Sequence, residues 1–152
     1  EDEKVKALLA AGLIGVFIAA HATFAAEVGG CMAETGSGGG MAAAGIVVMA
    51  NGTLNQALTA ASLALKNSLG LICDPIGNRV EAPCLGRNVM AATNAVSSAN
   101  MALSDYNALI PLDEVIATMQ SFVGQPIRCD TTRAELGSFL FAAHSYRHHL
   151  RH

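Results

Sequence analysis

Cysteine is a thiol nucleophile and a soft metal ligand, and three of the four cysteines in this 152-residue chain sit where neither a helix nor a strand is favoured. Cys31 lies within Glu27-Val-Gly-Gly-Cys-Met-Ala-Glu-Thr-Gly-Ser-Gly-Gly-Gly40. Cys73 and Cys84 lie within Gly70-Leu-Ile-Cys-Asp-Pro-Ile-Gly-Asn-Arg-Val-Glu-Ala-Pro-Cys-Leu-Gly-Arg-Asn88. Glycine weakens a helix by about 1 kcal/mol relative to alanine, and proline removes an amide donor. Both segments are therefore predicted to be loops or interrupted helices, where a side chain is free to turn toward a shared centre. Disulfides are one use of such thiols, although a chain this apolar has little need of stapling. Inert burial is another, since free cysteine is among the most buried residue types. Metal binding is the third. The short Cys-x-x-Cys pairs of zinc sites are absent, whereas a widely spaced set of three suits an iron–sulfur cluster, held by thiolates and tuned by hydrogen bonds to its sulfurs. Glycines 29, 30, 36, 38, 39 and 40 would let backbone approach such a group, or would simply make a flexible loop.

The elements that must position these thiols are helical. Apolar residues make up 52% of the chain and charged residues 14%, with mean hydropathy +0.41, which excludes a disordered segment. Nine Lys and Arg against twelve Asp and Glu leave no basic footprint, so nucleic acid is not expected as a partner. Ala7–Ala26 is apolar on nearly every face and predicts a central helix enclosed by others, with Gly12 and Gly15 admitting close contact. Its longest apolar run, Ala7 to Ala20, is 14 residues, short of the roughly 20 that span a bilayer, so no membrane partner is expected. Glu1, Asp2 and Glu3 precede Lys4 and Lys6, unlike a secretory signal, so the expected location is cytoplasmic. The missing initial Met predicts a piece of a longer polypeptide.

Met41–Ala50 reads as a short helix closed by the turn pair Asn51-Gly52. Thr53 with Gln56 has capping-box form, and Leu54, Leu58, Ser62, Leu65 and Leu69 follow at helical spacing, predicting a helix from Leu54 to Leu69. Further helices are expected from Val89 to Leu103, from Glu114 to Phe122 with Asp113 as cap, and from Thr132 toward His144, with Glu135 completing a second capping box. Sustained two-residue alternation is absent. The expected fold is all-α: a compact bundle of about six helices with two Gly/Pro-rich broken segments carrying the cysteines. Residues 1–141 are expected to form one domain, and 142–152 a His/Arg-rich tail, either disordered or artificially added. His144, His148, His149 and His152 resemble a metal tract, yet Arg147 and Arg151 interleave.

Gly30-Cys31-Met-Ala-Glu34, Met41-Ala-Ala-Ala-Gly45, Gly70-Leu-Ile-Cys73-Asp-Pro-Ile-Gly77 and Val80-Glu-Ala-Pro-Cys84-Leu-Gly-Arg87-Asn88 together resemble the catalytic α domain of the iron–sulfur-dependent L-serine dehydratases. The likeness runs from about Lys6 to Met119 and reads as a C-terminal fragment of that domain. Beyond Met119 the chain departs from the family's Arg-Glu-Thr-like and Gly-Gly-Leu-Ala elements, with Ile127-Arg-Cys-Asp-Thr-Thr-Arg-Ala-Glu-Leu-Gly137 instead. The related cysteine desulfidases share the layout but are less similar through Cys-Asp-Pro.

The resemblance implies a [4Fe–4S] cluster on Cys31, Cys73 and Cys84, with Cys129 either a fourth ligand or an ordinary thiol. Three cysteines on four irons would leave one iron open as a Lewis acid on the serine hydroxyl, giving pyruvate and ammonia, a step of amino-acid catabolism that feeds gluconeogenesis. The implied partners are L-serine, a β-type domain or chain of the same enzyme, and further copies in a homo-oligomer. A pyridoxal phosphate route has only Lys4, Lys6 and Lys66 to draw on. Arg87 is a candidate for the serine carboxylate, or for a salt bridge to Glu81 or Asp74. Asn88 could bond the cluster or substrate, or cap the helix expected at Val89. Glu34 and Asp74 could orient ligands or accept a proton, Asp74 being also a common turn opener before Pro75. His21, in an apolar helix, reads as a satisfied core histidine. The general base has no candidate.

Overall fold

A computed structural model of the chain describes residues 1–75 and 79–123. These residues form six α-helices and one π-helical turn, with no β-strand among them: α1 (Asp2–His21), α2 (Ala26–Cys31), the π turn (Met32–Gly36), α3 (Ser37–Met49), α4 (Leu54–Lys66), α5 (Glu81–Leu103) and α6 (Leu112–Phe122). The all-α expectation holds. Cys129, the helix expected after Thr132, and the tail 142–152 with its histidines fall outside the described residues.

The central helix is α3, not α1. It packs against α1, α4 and α5 and buries Ser37, Gly39, Gly40, Ala43, Ala44, Gly45 and Val47. Small residues set this arrangement because they bring axes together. A Cβ on Gly45 would lie 3.1 Å from the Ala7 carbonyl oxygen, and one on Gly15 would lie 2.9 Å from Met41 Cε. Gly12, by contrast, faces open space. Helix α1 buries only Ala7, Ile14, Gly15 and Ile18, while Leu8, Leu9, Leu13 and Val16 stand 64–73% exposed. A helix apolar all round does not reveal which face its neighbours will take. The same helix runs for 20 residues at hydropathy 1.6, long and apolar enough to span a bilayer, so the length argument drawn from the 14-residue run does not stand. His21 is exposed at its end rather than in the core, with Nδ1 2.9 Å from the Phe17 carbonyl.

Helix α4 begins as its sequence predicts. Gln56 N–H donates to Thr53 Oγ1 at 3.2 Å, and Gln56 Oε1 accepts from the Thr53 amide at 2.9 Å. It ends at Lys66, three residues before the expected Leu69, and its buried side is lined by Ala57, Ala60, Ala61, Ala64 and Leu65. The turn before it uses Asn51 at φ 57° and Gly52, as the Asn-Gly pair predicts.

Other boundaries also differ from expectation, α1 running Asp2–His21 rather than Ala7–Ala26. Residues 36–40 are helical, because at the crowded Gly36, Gly39 and Gly40 the lack of a side chain outweighs their poor propensity. Helix α5 starts at Glu81, eight residues before Val89, and carries Pro83 in its first turn, where amides have no intrahelical partner to lose. Helix α6 is capped by Pro111, so Asp113 lies inside its first turn, where the helix dipole favours an acid. Leu112, Val115, Ile116 and Met119 close the core from this side. Ile116 is completely buried, so Ile116→Ala is expected to lower unfolding stability by about 3 kcal/mol through lost burial and a residual cavity. Denaturant unfolding with an unchanged slope checks this.

Candidate functional site

Gly30 breaks the chain immediately before Cys31. Its φ of 69° and ψ of −169° lie in a region open essentially to glycine alone. The reversal turns the chain from α2 into the π turn and buries Cys31 completely. It also exposes backbone to a second strand of chain. Met32 N–H donates to the Leu71 carbonyl at 3.0 Å, and Gly70 N–H approaches Met32 Sδ at 3.4 Å. A Cβ on Gly30 would lie 2.8 Å from Leu71 O and 3.3 Å from Cys73 N. The backbone of the Cys73 segment therefore lies against Gly30, next in sequence to Cys31, because position 30 has no side chain.

Helix α5 supplies the third thiol. Cys84 sits in its first turn, with its amide bonded to the Val80 carbonyl at 2.8 Å, rather than in a loop as expected. One turn later Arg87 reaches back across the site. Its Nη2 is 2.9 Å from Asp74 Oδ2, and its Nη1 donates to the Ile72 carbonyl. The guanidinium also lies near Cys31, whose thiol its charge favours in the ionised form. Asn88 lies inside α5 and caps nothing; its Oδ1 accepts from Thr35 Oγ1 at 3.4 Å, which ties α5 to the π turn. Among the described residues, Asp74 Oδ1 and Ser37 Oγ are buried without a hydrogen-bond partner. Buried polar atoms in that condition are rare in folded proteins and accept a ligand or water readily.

The structure thus brings Cys31, the Cys73 segment, Cys84, Asp74, Arg87 and Asn88 to one place. Of the two ion-pair partners considered for Arg87, Asp74 is the one it meets. Glu34 stays exposed on the π turn, and among the described residues no hydrogen bond or ion pair ties it to the cysteines. Sequence reasoning missed Thr35 and the Ile72 carbonyl. Nothing in a Gly-rich run signals the first, and a backbone acceptor leaves no mark in residue type.

No disulfide joins the three thiols. Burial pushes the Cys31 thiol above its ordinary value; Arg87 opposes this, and Cys84 and Asp74 add to it. A raised pKa means fewer thiolates at neutral pH and faster reaction as pH rises. In the metal-free chain, iodoacetamide is expected to modify the half-buried Cys73 and Cys84 about ten-fold faster than Cys31. Peptide mass spectrometry over a time course reads this order.

Among the described residues no three His, Cys, Asp or Glu side chains are set to hold a single metal ion. One ion needs every thiolate about 2.3 Å from a common point. A multi-iron cluster takes each thiolate on a different iron, and so accepts sulfurs set further apart.

The family model described as serine dehydratase alpha chain matches residues 1–136. The chain belongs to the serine dehydratase alpha chain family. The match extends beyond the Lys6–Met119 likeness at both ends. The chain is 47% identical over 124 residues to a probable L-serine dehydratase, alpha chain, of Bacillus subtilis, covering 82% of this chain and 41% of that protein. It is 41% identical over 136 residues to the corresponding probable alpha chain of Latilactobacillus sakei, covering 90% and 65%. To the L-serine dehydratase, alpha chain, of Peptoniphilus asaccharolyticus it is 50% identical over 106 residues, covering 70% and 36%. The chain therefore spans less than two thirds of the length of these relatives.

Proposed function

We propose that the chain is part of the catalytic α portion of an L-serine ammonia-lyase that converts L-serine to pyruvate and ammonia, with a [4Fe–4S] cluster on Cys31, Cys73 and Cys84. The observation that carries the reading is the meeting of three cysteine-bearing segments, far apart in sequence, around one guanidinium in a chain of this family. The residues fit the group. Three thiols are present, Gly30 leaves a cradle that a Cβ would fill, and Asp74 holds a buried oxygen with no partner among the described residues. When bound, such a cluster supplies a Lewis-acidic iron suited to polarising a hydroxyl, which makes hydroxide a better leaving group.

The chain's own residues supply the rest. The buried position of Cys31 limits access of water to that side. Asp74 Oδ1 offers an acceptor suited to the substrate's ammonium group, and Asn88 is placed to hold a polar group at the α5 edge. A β-type domain or chain completes the enzyme, working in the cytoplasm as a homo-oligomer; the exposed apolar residues of α1 and the alpha-chain names of the relatives support an assembled state.

Anaerobic reconstitution of the chain together with its β-type partner, followed by assay on serine, threonine and cysteine, tests the reading. Pyruvate formed from serine, dependent on iron and lost in air, is the expected result. Sulfide release from cysteine instead would favour a cysteine desulfidase, and equal behaviour with and without iron would favour a cluster-free helical domain.

A further inference from the structure

Arg87 reaches the residue on each side of Cys73. Ile72, just before it, gives its carbonyl to Nη1, and Asp74, just after it, gives Oδ2 to Nη2 at 2.9 Å. The same guanidinium lies near enough to Cys31 to favour its ionised form. Arg87 itself follows Cys84 by three positions, one helical turn along the same face. One side chain on the Cys84 helix thus holds the Cys73 segment on both sides of the thiol and lies near Cys31. Leu71 is independently fixed, since its carbonyl accepts from Met32 and its amide donates to Ser68 O at 3.1 Å. Beyond Leu71, the contacts holding the chain through Asp74 include both arms of this guanidinium. The pair is largely shielded, with Arg87 and Asp74 side chains 15% and 19% exposed.

We propose that Arg87 is a positioning residue that assembles the cysteine segments, and not the group that binds the substrate carboxylate. Both of its terminal nitrogens already face protein acceptors, the Ile72 carbonyl and the Asp74 carboxylate. The planar fork explains the residue type: two parallel donors at fixed separation span a carbonyl and a carboxylate two residues apart, which a single ammonium cannot do. The consequence for cluster loading rests on the ligand reading given above; the consequence for the backbone does not.

Amide hydrogen exchange on the metal-free full chain tests the backbone part. Arg87→Met is expected to speed exchange at the amides of residues 72–74 about ten-fold while the amides of α3 and α4 keep their protection. Arg87→Lys gives the same loss, and Asp74→Asn a smaller one, which preserves the test if Arg87→Met proves hard to fold. After anaerobic reconstitution and desalting, Arg87→Met retains about ten-fold less iron than wild type. Unchanged exchange and unchanged iron, with a raised KM for serine alone, would overturn the proposal and return Arg87 to the substrate. If wild type itself retains no iron, the ligand reading fails, and the exchange arm still decides the role of Arg87.

Discussion

Cys73→Ser abolishes iron retention and serine turnover and leaves the helices in place. The expectation follows from where the residue sits. Cys73 is half-buried in a short non-helical segment and is absent from the core formed by Ile18, Met32, Val47, Leu65, Ile116 and Met119. The helices are therefore stable without its sulfur, and exchanging sulfur for oxygen at a partly exposed position costs about 1 kcal/mol or less. A serine hydroxyl is a far poorer iron ligand than a thiolate, so two thiols remain where three are needed. Circular dichroism, iron content and pyruvate formation, measured on one preparation, read both halves. A variant that unfolds would show that the metal centre supports the fold as well as the chemistry.

Gly30→Ala has the second large effect, and it damages fold and site together. The backbone at this position is open essentially to glycine, and a residue forced into it is strained by about 1–3 kcal/mol. The added Cβ would stand 2.8 Å from the Leu71 carbonyl oxygen, a backbone atom fixed by its bond from Met32. Relief requires the 71–73 segment to move away, carrying Cys73 from Cys31. The expected result is about 3 kcal/mol of lost stability together with loss of bound iron. Thermal unfolding and iron analysis of Gly30→Ala beside Gly38→Ala make the comparison, because Gly38 has nothing near its Cβ position.

The fold class was legible in the sequence because its signals are local. The Thr53–Gln56 capping box and the Asn51-Gly52 turn each form as their residue types dictate, and the lack of strand alternation holds in the described residues. Depth was not legible. Helix α1 is apolar on every side, so nothing in its order of residues says that α3 takes one face and leaves Leu8, Leu9 and Leu13 exposed. The run Gly36–Gly40 misleads for the opposite reason. Poor helix propensity is a local cost, and close packing at positions such as Gly36, whose Cβ position is taken by Ser68 Oγ, is a tertiary demand that overrides it.

At the site, residue types pointed to the three cysteines and to Arg87, and the Asp74 ion pair was among the partners foreseen. What spacing could not supply was the use of the guanidinium. A carboxylate binder and a backbone clamp need the same side chain, and only the placement of Ile72 O and Asp74 separates them. Cys84 shows a related limit: Pro83 reads as a helix breaker in isolation and as an ordinary first-turn residue once α5 is seen to start at Glu81.

Iron and acid-labile sulfide analysis with Mössbauer spectroscopy on the anaerobically reconstituted chain bears most directly on whether the sulfurs of residues 31, 73 and 84 share one centre. About four irons and about four sulfides per chain, with one iron spectroscopically distinct from three, is the predicted outcome for three thiolates on a [4Fe–4S] cluster. A chain that retains no iron, or that holds one isolated ion, would contradict it.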